Sequence, residues 1–70
     1  MSTQQPITVN GESRAIIEPM TVTQLVSEMK LAGRAVAVEV NEKLVPRKLH
    51  DQTTLHPGDR VEVVTLVGGG

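Results

Sequence analysis

The 70-residue chain contains no cysteine, phenylalanine, tryptophan or tyrosine, and no run of apolar residues approaching the length of a membrane span. The missing cysteine removes disulfides, zinc thiolates and a thiol nucleophile together. Without aromatic side chains there is no platform on which unpaired bases could stack, and a formal net charge of −1 offers no basic footprint for phosphate backbones. Met1 to Pro6 is polar and unlike a signal peptide, so it reads as a short flexible leader. These absences lead to the expectation of a soluble cytoplasmic protein that binds neither nucleic acid nor membrane. His50 and His56 show no ligand spacing with other residues and are expected on the surface, and no metal or cofactor is expected to be bound. No nucleophile–base pair can be assembled, which argues against an enzyme. A chain this short makes one domain, burying about 60% of the surface exposed when unfolded, with an all-aliphatic core.

What is present is strand-rich. Ile7-Thr8-Val9 alternates and runs into Asn10-Gly11, a strong hairpin signal because both residues tolerate positive φ. Ser13 to Ile17 is expected to return as a second strand. Thr21 and Gln24 form a T-x-x-Q capping box, and Val22, Leu25, Val26 and Met29 recur at helical spacing, so a helix of about three turns is predicted, stopping near Gly33. Ala35 to Val40 reads as a strand with Val36, Val38 and Val40 on one side. Asn41-Glu42-Lys43 is a turn, and Leu44-Val45 returns briefly before Pro46, which confines that piece to an edge. Arg47 to His56 is polar and irregular, with Leu55 as its buried anchor, and Pro57-Gly58-Asp59 turns into a last strand, Arg60 to Val67. In that strand Val61 and Val63 face one side, and Glu62 and Val64 the other. A hairpin, one helix and further strands give the α+β class, with a sheet of four to five strands packed on the helix and the first and last strands side by side.

The chain ends on Gly68-Gly69-Gly70 directly after that strand. Glycines without side chains can thread a narrow channel in almost any conformation, so residues 68–70 read as a flexible tail on a domain spanning 7–67, with the Gly70 carboxylate at its tip. A frayed end is the plain alternative. Val64, Leu66 and Val67 beside the tail form an expected partner-binding patch. The plain reading of these residues is a second buried face or scattered exposed aliphatics. Glu39, Glu42 and Glu62 read as a solvated face, Arg47 and Arg60 as solvated or in contact with an acidic partner, and Asp59 as a local cap in its turn.

Three stretches resemble a known family. Val40 to Arg47, with its Val45-Pro46-Arg47, is similar to the V-P-R region of the ThiS family of thiamine-biosynthesis sulfur carrier proteins. Leu55-His56-Pro57-Gly58-Asp59-Arg60-Val61-Glu62 resembles that family's L-x-x-G-D-x-V-E turn and strand, and the terminus resembles its diglycine. Gly68 departs from the pattern only by lengthening the tether. The resemblance covers Ile7 to Gly70 and implies the β-grasp, or ubiquitin-like, fold. It also implies a role. An adenylating enzyme would use ATP and Mg²⁺ to activate the Gly70 carboxylate, and a cysteine desulfurase relay would supply sulfur to make a thiocarboxylate. Thiazole synthase would then take that sulfur for the thiazole of thiamine. On this reading the chain is a co-substrate, a monomer when free. A ubiquitin-like protein modifier, a sulfur carrier for molybdopterin and a plain interaction module remain alternatives at this point.

Overall fold

The computed structural model describes residues 5–16 and 19–66. Strands β1 (Ile7–Val9), β2 (Glu12–Arg14), β4 (Val36–Val40), β5 (Lys43–Val45) and β7 (Arg60–Thr65) form one sheet in the order β2-β1-β7-β4-β5. β1 runs parallel to β7 and the other neighbours are antiparallel, giving a mixed sheet. Two-residue strands β3 (Met20–Thr21) and β6 (Thr54–Leu55) pair separately, and helix α1 (Val22–Glu28) follows β3 directly. This is the α+β, ubiquitin-like arrangement that the resemblance implied, with the first and last strands adjacent as expected.

Alternation decides the layers. Val36, Val38, Val40, Val61 and Val63 meet α1 on the inner face, where Ile7, Val38 and Val61 are fully buried together with Val22 and Leu25. At Asn10 and Gly11 φ is 53° and 85°, the paired positive values of a tight hairpin turn. The Asn10 side chain does more than turn. Its Nδ2 donates to the Val63 carbonyl (3.0 Å) and its Oδ1 accepts from the Val63 N–H (2.8 Å), so the amide extends β1's pairing with β7 past Val9.

The helix begins as its sequence indicates. The Gln24 N–H donates to Thr21 Oγ1 (3.2 Å), while Gln24 Oε1 accepts from the Thr21 N–H (2.8 Å). Its end differs from expectation. The helix covers only seven residues and closes at Lys30, not Gly33. The Lys30 N–H donates to the Ser27 carbonyl and the Leu31 N–H to that of Val26, the paired bonds of a Schellman cap, with Lys30 at φ 64° in the position glycine usually takes. Leu31 then packs against the core, and Gly33 (φ 83°) belongs to the next turn, closed by Arg34 N–H to Leu31 carbonyl.

Two further expectations change. The return strand is Glu12–Arg14 and does not continue to Ile16; Ile17, the last residue of the expected strand, lies outside the described residues. Ile16 leaves the ladder but remains buried, because it packs into the core from the connecting segment. The stretch after Pro46 is not irregular: a 3₁₀ helix, Arg47–Gln52, leads to β6, which anchors the buried Leu55. His50 in this helix is buried rather than on the surface. Nε2 lies 3.1 Å from the Val45 carbonyl and must be the donor, since a carbonyl only accepts; that bond satisfies one of the two ring nitrogens inside the fold.

Candidate functional site: the sheet end and its outer face

β7 is the central strand, paired by β1 on one side and β4 on the other. Its pairing with β4 runs to Thr65 opposite Val36, and beyond it the Leu66 N–H donates to the Ala35 carbonyl (2.9 Å). The chain is therefore fastened to the fold up to Leu66. Val67, Gly68, Gly69 and Gly70 lie outside the described residues.

The face of the sheet away from α1 carries Val64 and Leu66, 55% and 58% exposed, on the same alternation as Glu62. Val64 stands opposite Ala37, and Glu62 opposite Glu39, which in turn stands opposite Leu44. Cross-strand partners share a face, so Leu44, at 65% the most exposed large apolar side chain among the described residues, belongs to this surface too. The sequence reading put Val64 and Leu66 here and missed Leu44. Its parity, opposite to that of half-buried Val45, was the available signal. The surface thus holds three exposed aliphatics and two carboxylates, Glu39 and Glu62, facing each other with no cation within ion-pair distance among the described residues.

Apart from Arg47, which lies near Arg34 and Val36, the remaining candidates are at the opposite end of the sheet, most of them in structural roles. Asp59 Oδ2 accepts from the His56 N–H (2.8 Å), and its Oδ1 accepts from Asn41 Nδ2 (3.0 Å), whose own Oδ1 accepts from the Arg60 N–H. Arg60 pairs with Glu42 (2.7 Å) in the exposed turn of Asn41 and Glu42. His56 is exposed, and Arg47 is exposed at the start of the 3₁₀ helix. Among the described residues no group of three or more His, Asp or Glu is placed to hold a metal ion, and no helix is long and apolar enough to cross a membrane.

The ThiS family model matches residues 7–70. A thiamine biosynthesis protein (ThiS) from Geobacter metallireducens has a crystal structure that superposes with a TM-score of 0.79 at 38% identity, covering 94% of this chain and all of that one. This chain belongs to the ThiS family. That family is one of small sulfur carrier proteins with the ubiquitin-like β-grasp fold. Among curated relatives, a protein named thiazole synthase from Paramagnetospirillum magneticum is 39% identical over 64 residues, which make up 91% of this chain. The chain spans only 20% of the length of that protein. An uncharacterized protein, ycf40, from Porphyra purpurea is 34% identical over 91% of this chain and 90% of its own length.

Proposed function

We propose that this ThiS-family chain carries sulfur for the thiazole moiety of thiamine on its Gly70 carboxylate. The observation that supports this most is the way the central strand ends. A doubly paired strand delivers the chain to Leu66 beside an exposed apolar face, and only Val67 separates that point from three glycines. A rigid body would then present a thin tether to another protein's active site.

The chemistry follows from the carboxylate. At neutral pH a terminal carboxyl is an anion and a poor acyl donor. In an adenylating partner it attacks the α-phosphate of Mg²⁺-bound ATP, pyrophosphate leaves, and an acyl-adenylate forms. A sulfur nucleophile at the sulfide level, released as hydrosulfide when a thiol reductant cleaves the persulfide of a cysteine desulfurase relay and is itself oxidised to a disulfide, attacks the carbonyl carbon. AMP leaves with the C–O bonding pair, and Gly70 becomes a thiocarboxylate. Thiazole synthase, working in the cytoplasm with this carrier, takes up that sulfur. The relative named thiazole synthase, in which a segment like this chain forms part of a longer protein, supports that pairing. Val64, Leu66 and Val67 form the contact surface next to the tail. Glycines 68 and 69 pass a channel that a Cβ would block. ATP and Mg²⁺ belong to the partner, and the chain itself performs no catalysis.

Thiol-selective alkylation followed by intact mass and peptide mapping tests this directly. The chain has no cysteine, so any thiol-type adduct reports a modified group. An adduct on Gly70, dependent on ATP, the adenylating enzyme and a sulfur source, is expected. Its absence with all three supplied overturns the proposal.

A further inference from the structure

On the helix side of the fold, away from Val64 and Leu66, a groove of about 370 Å³ lies between α1, the turn after it and the 3₁₀ helix. Its apolar walls include Val26 and Val36. Arg34, Arg47, His50 and Asp51 supply its charge and polarity. Arg47 comes from the V-P-R stretch, and the sulfur-carrying scheme gives it no task.

Three features point to a ligand. First, Arg34 and Arg47 both line one small cavity, and among the described residues no carboxylate lies within ion-pair distance of either. Second, His50 is 8% exposed, and its Nε2–H is committed to the Val45 carbonyl. That leaves Nδ1 as an acceptor in the neutral ring, with no hydrogen-bond partner among the described residues. No buried side-chain nitrogen or oxygen among those residues lacks a partner, so Nδ1 is not sealed from solvent, and His50 is one of the residues that line the groove. Third, the carboxylate of Asp51 accepts from the Thr23 hydroxyl at the rim. The groove therefore combines two cationic forks, one negative charge and an open nitrogen lone pair.

Those groups together describe an oxyanion that also carries a proton. Guanidinium forks match tetrahedral oxyanions in bidentate geometry. A neutral imidazole Nδ1 needs a donor, and a singly protonated phosphate provides one, whereas sulfate at neutral pH does not. We propose that this groove binds inorganic phosphate, with Arg34 and Arg47 on the anionic oxygens and His50 Nδ1 accepting from the P–O–H. The volume lies at the small end of the range of ligand pockets, in keeping with a small anion. The site is independent of the Gly70 chemistry, because it uses neither the tail nor the outer face.

The test is an NMR titration of the full chain with inorganic phosphate, sulfate and AMP, following the His50 ring and the Arg34 and Arg47 side chains. Saturable shifts at these three residues with phosphate are expected, with sulfate about tenfold weaker for want of the proton, a difference of roughly 1.4 kcal/mol. AMP should bind more weakly than phosphate, because its monoester is largely the dianion at neutral pH; AMP binding as tightly as phosphate overturns the contact between His50 and a P–O–H. Arg34→Gln with Arg47→Gln replaces two exposed side chains, so the fold is kept, and unchanged Val38 and Val61 signals verify this. Loss of saturation in that double variant supports the site. Equal binding of sulfate and phosphate, shifts without saturation, or an unaffected double variant each overturns it.

Discussion

The two faces of the central sheet come from the same strands and have opposite tasks. β4 and β7 send Val36, Val38, Val40, Val61 and Val63 inward and Ala37, Glu39, Glu62 and Val64 outward. The inner set is β-branched and closed against Val22, Leu25 and Val26 of the helix. The outer set mixes exposed aliphatics with acids, and folding alone gives no reason for Leu44, Val64 and Leu66 to be there. An exposed aliphatic costs little stability and is unremarkable singly, but three on one face suit a partner. The sharpest way to break this contrast is one truncation made on each side. Leu25→Ala removes a fully buried side chain and should lower unfolding free energy by about 3 kcal/mol, within the usual range of such cavities. Leu66→Ala should change it by less than about 0.5 kcal/mol. Calorimetry gives both numbers. Leu66→Asp should likewise keep the fold while slowing adenylation at Gly70; normal adenylation of a folded Leu66→Asp chain would remove the patch from the functional account.

The inner face was readable from the sequence because period two and a helical stripe are local patterns. Thr21 and Gln24 announced the helix start for the same reason: both halves of the capping box lie within three residues. The helix end was not readable. A Schellman cap needs one residue with positive φ, and the nearest glycine, Gly33, was the natural candidate. Lys30 takes that conformation instead because Leu31 gains burial by closing the helix early. His50 was misread for a related reason. Nothing local marks a histidine as buried, and its partner, the Val45 carbonyl, becomes available only when the 3₁₀ helix turns back after Pro46. At the candidate site, Val64 and Leu66 were visible from alternation. Leu44 escaped notice because three residues before a proline are too few to show a period. The fold follows from local signals reinforced by family resemblance, whereas the contents of the groove depend on contacts between segments distant in sequence.

A smaller effect should appear where β1 joins β7. Val61 lies opposite Val9, and past that point the Asn10 amide alone ties the turn to Val63. Asn10→Ala removes two part-buried hydrogen bonds and puts a less tolerant residue at positive φ, so a loss of about 1–2 kcal/mol is expected. Asn10→Gly keeps the turn conformation and discards only the amide, which separates the two contributions. Hydrogen exchange at the Val63 N–H should accelerate in both variants. If Asn10→Gly leaves it unchanged, the backbone and not the amide holds this seam.

The smallest expected effect is on the outer face, and its sign distinguishes that face from the inner one. Glu39 and Glu62 oppose each other across β4 and β7, a like-charge pair that destabilises the ladder in isolation. Removing one charge with Glu39→Gln should therefore stabilise the free protein, by about 0.3 kcal/mol at low salt. Any replacement in the buried layer should destabilise it. The gain should shrink as salt is added, since at 1 M the screening length falls to about 3 Å, shorter than the separation of opposed side chains. Denaturant midpoints of parent and variant at low and high salt give the comparison. A gain that persists at high salt would trace the effect to strand propensity, not charge. A loss would show that Glu39 makes a stabilising contact on a face otherwise left open.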